Sequence, residues 1–229
     1  LLTGTSFAAT INVPGDYSTI QQAVDASVNG DVIQIAPGTY NEHDLSPGGK
    51  AITIQGTLDS NGDWATTIDA NQQGRVFYVA DSGGNETTIR DLIVTGGDLS
   101  NPPYNDGGGI YCLNSDTSII NCWITGNDAN EGGGLRFTNS NGLLKDCLIE
   151  GNESRVDGAG ILFYVNGNPD IVNCQIVGND SGDCGGGMSV LNSAPIFTDC
   201  VIRENNCDPG GGGGVWHLRV FRMRKETVT

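Results

Sequence analysis

Histidine is nearly missing from this chain: 229 residues contain two, His43 and His217, and neither lies in a nucleophile-elbow phrase or a zinc-ligand spacing. A serine, cysteine or zinc hydrolase site is thereby poorly supported. Basic residues are also scarce, 11 against 27 acidic ones, giving a formal net charge of −16. A surface that reads nucleic acid needs clustered Lys and Arg to meet phosphates, so nucleic acid is excluded as a partner. Other polyanions are excluded too unless a cation bridges. No apolar run approaches the ~18 residues of a membrane-crossing helix, so no transmembrane segment is expected. Only 17% of residues are charged and 35 are glycine, a balance that suits one elongated domain and not a disordered chain.

What the chain does have is a period. Cys122, Cys147, Cys174 and Cys200 fall 25, 27 and 26 residues apart, inside Asn-Cys-Trp-Ile, Asp-Cys-Leu-Ile, Asn-Cys-Gln-Ile and Asp-Cys-Val-Ile. Each is followed by an asparagine (Asn127, Asn152, Asn179, Asn205), and then a glycine phrase such as Gly132-Gly133-Gly134-Leu135 opens the next unit. A fixed period marks a stacked repeat, and units this short exclude propeller blades, which need about 40 residues or more. Apolar residues alternate within a unit, as in Cys147 with Ile149 and Leu135 with Phe137, so the runs read as short strands. One unit cannot bury its apolar face alone; stacked about 4.8 Å apart, units share a continuous core. The asparagines are expected to bond along their column and to hold left-handed turns. An earlier, degenerate coil has Leu92 in the cysteine position. The fold class is therefore all-β, a single-stranded right-handed parallel β-helix.

The ends differ from the middle. Ser18-Thr19-Ile20-Gln21 is a capping-box signature, and Ile20, Ala23, Val24 and Val28 mark one helical face, which predicts a short N-terminal capping helix over 18–28. Residues 1–9 end in Ser6-Phe7-Ala8-Ala9 and read as the candidate remnant of a secretory signal, so the expected location is secreted or cell-surface. Residues 10–214 form the β-helix domain. Residues 215–229 carry Arg219, Arg222, Arg224 and Lys225 against Glu226 and break the repeat after Trp216, as an atypical cap or tail. An apolar, basic tail opposite an acidic body is expected to fold over the last coil or to pair with a second chain in a homodimer. The four ladder cysteines read as reduced core, while Cys184 and Cys207, in turns of neighbouring coils, are the one candidate disulfide.

The segment Ile11 to Gly56 resembles the start of the pectin-lyase-like superfamily. The phrases that carry the resemblance are Tyr17-Ser18-Thr19-Ile20-Gln21-Gln22-Ala23-Val24, Gly30-Asp31-Val32-Ile33, Ala36-Pro37-Gly38-Thr39-Tyr40 and Lys50-Ala51-Ile52-Thr53-Ile54-Gln55-Gly56. They are similar to the first coils of pectin methylesterases and of secreted β-helix repeat proteins. The resemblance implies the β-helix fold and a polysaccharide or cell-surface glycan as partner. It does not carry a reaction, because the Gln-Asp-Thr, Asp-Phe-x-Phe-Gly and Gly-Arg-Pro-Trp phrases of the methylesterases are absent, as are the polygalacturonase and pectate-lyase phrases.

Candidate chemistry therefore comes from the residues themselves. Asp91, Asn121, Asp146, Asn173 and Asp199 each precede a ladder position and read as one outward polar column beside Trp123. Asp146 and Asp199, two coils apart, should be separated by roughly 9.6 Å, near the upper end of the ~6.5–9.5 Å between the carboxyls of inverting glycosidases. Asp91, Asp146 and Asp199 are the candidate catalytic residues; Trp123, Asn121, Asn173 and Arg136 are the candidate substrate contacts. Asp128, Glu131, Asp180 and Asp183 are candidate calcium ligands, with no cofactor required. Three functions follow: a β-helix module that binds polysaccharide or a surface ligand, a polysaccharide lyase or glycoside hydrolase, and an ester hydrolase. Two close carboxylates beside an arginine, Arg90 or Arg136, favour the enzymes; a flat, evenly polar face favours binding.

Overall fold

Four parallel sheets wind around one apolar core. The computed structural model describes residues 8–80, 86–99, 106–207, 215–217 and 222–224, the last two segments through their backbone. One coil runs Ser118–Ile120, Trp123–Thr125, Asp128–Glu131 and Leu135–Thr138, each strand adding to a different sheet. In that order the four sheets have nine, seven, five and six strands among the described residues, and every strand pair in them is parallel. Neighbouring coils stay in register, so Ile119 pairs with Leu144 and then Ile171, and Ile124 with Ile149 and then Ile176. The sequence expectation of a parallel β-solenoid is met.

The core follows from alternation. Ile119, Leu144, Ile171 and Phe197 fill it from the first sheet, Ile124, Ile149 and Ile176 from the second, and Phe137 and Phe163 from the fourth. Burying each such side chain contributes roughly 1.5–3 kcal/mol. The Phe137 and Phe163 rings stack at 5.7 Å with 12° between their planes. Cys122, Cys147 and Cys174 line the same interior, and burial pushes the Cys112 thiol up to about 12. Cys200, in the last cysteine coil, is only half-buried, against the expectation that all four are enclosed.

Turns are columns as well. Asn127, Asn152 and Asn179 are buried and bonded coil to coil, but the left-handed residue is the glycine before each: Gly126, Gly151 and Gly178, with φ of 63°, 62° and 62°. The asparagine's work is to satisfy backbone groups inside the corner, not to adopt the strained dihedral. At the glycine phrase the chain is pressed against the next coil; a Cβ on Gly133 would lie 1.9 Å from the Glu153 carbonyl oxygen.

A single helix among the described residues, Ile20–Ala26, covers the first coil with Ile20, Ala23 and Val24. Its cap is Thr19, whose side chain accepts from Gln22 N, one residue later than the Ser18 box implies. A distant group explains the shift: the Glu42 carboxylate accepts from Ile20 N at 2.7 Å and Gln21 N at 3.1 Å, doing the work a local box would do. At the other end Val215–His217 pairs with Met188–Val190 and Arg222–Arg224 with Ile196–Thr198, so the backbone carries on the coil past Trp216. Strand pairing needs only main-chain groups, which is why a break in the side-chain repeat did not end it. No helix among the described residues is long and apolar enough to cross a membrane.

Candidate functional site

The polar column Asp91, Asn121, Asp146, Asn173 and Asp199 does not lie on a strand face. Each member has a positive φ, between 49° and 57°, and forms the corner between the first and second sheets. Alternation therefore misplaced them: a left-handed corner needs Asn or Asp for its backbone, independent of any ligand. Their side chains bond in pairs along the corner, Asn121 Nδ2 donating to Asp91 Oδ1 and Asn173 Nδ2 to Asp146 Oδ1, both at 2.7 Å. Asp91 is buried and held by Arg90 Nε at 2.8 Å, whereas Asn173 and Asp199 are exposed. Arg90 thus meets one carboxylate of the column.

Trp123 follows this corner on the second sheet, and the sequence reading missed its partner. A short excursion between Gly56 and Thr66 brings Trp64 back, its ring 5.9 Å from Trp123 and its Nε1 donating to the Asn121 carbonyl at 2.7 Å. Trp123 itself is half-buried, with Ile93 and Leu148 as its strand neighbours. The result is an indole pair beside a row of amides and carboxylates.

A second constellation lies across the molecule, where the chain turns from the third sheet into the fourth. Asp106, Glu131, Asp157 and Cys184 each stand immediately before a glycine phrase and are bridge partners from coil to coil. Arg136 projects from the outer side of the fourth sheet yet is only 5% exposed. Its Nη1 meets Glu131 Oε2 at 2.7 Å and Asp106 Oδ2 at 3.0 Å. Its guanidinium packs over the rings of Tyr164 at 4.9 Å and Tyr111 at 5.4 Å, and Arg75 packs over Tyr78 and Tyr111 in the same way. Desolvation holds the Asp106 carboxyl above the usual range, with Arg136 acting against it; desolvation and the Glu131 charge do the same to Asp157. Asp106 and Glu131 remain partly open, with side chains 35% and 28% exposed. Asp106 and Tyr111 were not singled out from sequence, and Asp157 only as one of the carboxylate-rich turns that could hold calcium. The acid before three of the four glycine phrases was the signal that could have found Asp106.

Three of the four candidate calcium ligands divide between two columns. Asp128 and Asp180 belong to the row Asp98, Asp128, Glu153, Asp180 and Asn206 of the third sheet, while Glu131 belongs to the row with Asp106 and Asp157. Strand Asp128–Glu131 carries one member to each row, which is why proximity in sequence does not bring the four together. Among the described residues no three His, Cys, Asp or Glu side chains converge as a metal site would require. Asp183 influences Asp157 from one coil away. His43 is exposed and reaches Asp44 Oδ2 at 3.1 Å, and His217 pairs in register with Val190.

No curated protein matches the chain. Among solved structures it is similar to the pectin methylesterase from Aspergillus niger in deglycosylated form, at 15% identity over 96% of this chain and 85% of that one, with a TM-score of 0.51. The same enzyme in penultimately deglycosylated form gives 16% identity over 97% and 86%, with a TM-score of 0.48. Identities this low speak to the fold alone. The family described as right handed beta helix region matches residues 60–219. Together with the in-register coils, that match shows that this chain belongs to the right-handed β-helix family.

Proposed function

We propose that the protein acts outside the cell on a polysaccharide, with Asp106, Glu131 and Arg136 as its reactive centre. One observation carries the reading: two partly open carboxylates meet a single nitrogen of a buried arginine, and desolvation raises the pKa of one of them. Both oxygens contact one nitrogen, at 3.0 and 2.7 Å, so the two carboxylates stand close enough to act as a pair on one bond. Asp106 is the acid in this reading, because desolvation raises its carboxyl and the acid of such a pair is the member with the raised pKa. Glu131 is its partner base or nucleophile, and Arg136 neutralises charge that develops on the substrate. Tyr111 and Tyr164 supply ring surface beside it.

A second reading, binding without turnover, is favoured by the Trp64–Trp123 pair next to the corner column of Asp91, Asn121, Asp146, Asn173 and Asp199. Indoles stack on sugar rings, and a row of amides and carboxylates can bond their hydroxyls. A glycan array run with calcium and with a chelator, followed by assays for new reducing ends, unsaturated products and freed carboxyls on each retained glycan, separates the two. Product formation supports the enzyme; retention without product supports binding; no retained glycan in either buffer overturns both.

A further inference from the structure

We propose that Cys184 and Cys207 close an intrachain disulfide when the protein meets a low-molecular-weight disulfide oxidant, joining two neighbouring coils. The seven cysteines are all free thiols here and differ in burial. Cys112, Cys122, Cys147 and Cys174 are enclosed, and Cys200 packs on the same core. Cys184 and Cys207 are half-buried and lie instead at the third sheet and the turn that follows it.

Register brings them together. Cys207 pairs with Ser181, which pairs with Ser154, which pairs with Ala129, so the four form one column. Side chains in that column meet from coil to coil: Ser154 Oγ donates to Ser181 Oγ at 3.1 Å. Ser181 Oγ in turn lies within hydrogen-bond reach of the Val156 carbonyl at 2.8 Å and the Cys184 carbonyl at 3.0 Å, with one hydrogen to share between them. The column therefore runs along the inner side of the turn that carries Cys184, and Cys207 is its next member. The two residues sit on adjacent coils, Cys207 in register with Ser181 and Cys184 three residues further along the turn that Ser181 closes. Desolvation is the main cause that raises the Cys184 thiol, and a charge on Cys207 adds the last of its contributions.

The chemistry balances in two exchanges. The Cys207 thiolate attacks one sulfur of oxidised glutathione and releases a glutathione thiolate. The Cys184 thiolate then attacks the Cys207 sulfur of the mixed disulfide and releases the second. Two protein thiols are oxidised, one glutathione disulfide is reduced, and the thiol protons pass to water or to the released thiolates. Desolvation and the Asp183 carboxylate push the Cys184 thiol up to about 11, so closure should quicken as pH rises.

The test is peptide mapping of the whole protein after incubation with oxidised glutathione at about pH 8, with free thiols alkylated under denaturing conditions and no reduction before digestion. The expected product is a pair of peptides joined through Cys184 and Cys207, two hydrogens lighter than the reduced pair, with free thiols falling from seven to five. Cys184→Ser should leave Cys207 carrying glutathione. Wild-type protein with glutathione on both cysteines, with both unmodified, or with links only between chains would overturn the proposal.

Discussion

Asn127 donates its side-chain amide to Oδ1 of Asn152 at 3.0 Å, one coil further along. Asn152 repeats the bond to Asn179, and Asn179 repeats it to Asn205 at 2.9 Å. Each amide also bonds a carbonyl inside the corner, such as Ile124 O for Asn152. Removing one member strands donors and acceptors where water does not reach. Asn152→Ala should cost about 2–3 kcal/mol, read as a lowered urea midpoint at unchanged slope. A loss near zero would show that the ladder is ornamental.

The corner column tests differently, because its requirement is for a dihedral. Asn173 is exposed with φ of 51°. Asn173→Gly should leave stability within about 0.5 kcal/mol, since glycine adopts that conformation freely, while Asn173→Val should lose roughly 1–2 kcal/mol. Equal losses in the two variants, by thermal or urea unfolding, would mean that the side-chain bond to Asp146 dominates instead.

Asp128 has Asp98 and Glu153 as register neighbours, and desolvation together with those charges holds its carboxyl above the usual range. A carboxyl raised in the folded state favours folding when protonated, so its contribution falls as pH rises from the unfolded value through the folded one. Asp128→Asn should therefore stabilise by about 0.2–1 kcal/mol at neutral pH, the scale of like charges on paired strands. The gain should fade once pH drops below the ordinary carboxylate range. Unfolding curves at neutral and acid pH check both the size and the sign.

Cys147 is buried, and desolvation pushes its thiol well above the ordinary value. An impermeant thiol reagent applied to the native protein should miss Cys112, Cys122, Cys147 and Cys174 and reach Cys184 and Cys207. Cys147→Ser should cost on the order of 1–3 kcal/mol, because a hydroxyl is costlier to bury than a thiol. Rapid labelling of the enclosed four without unfolding would contradict the packing described above.

The repeat made the solenoid legible because one constraint, stacking, acts on every coil at the same residue. Asn127 and Cys122 could be read that way. Residues whose role depends on a single excursion could not: Trp64 reaches Trp123 from outside the period, and Glu42 caps a helix 22 residues away. Asp106 is a subtler case. It shares a column with Glu131 and Asp157, but its pairing with Arg136 arises only where the chain folds from the third sheet back onto the fourth. Asp146 and Asp199 drew attention as carboxylates on an outward strand, and the positive φ of each assigns them a corner that two-residue alternation does not describe.

The most direct test compares two sets of variants on a glycan that the array retains and the protein turns over. Asp106→Asn and Glu131→Gln should each lower turnover by more than about tenfold, as loss of an acid or base does. Asp146→Asn and Asp199→Asn, which keep a side chain suited to the left-handed corner, should stay within about twofold of wild type. Unchanged turnover in the first pair together with loss in the second would contradict the account and return the chemistry to the corner column.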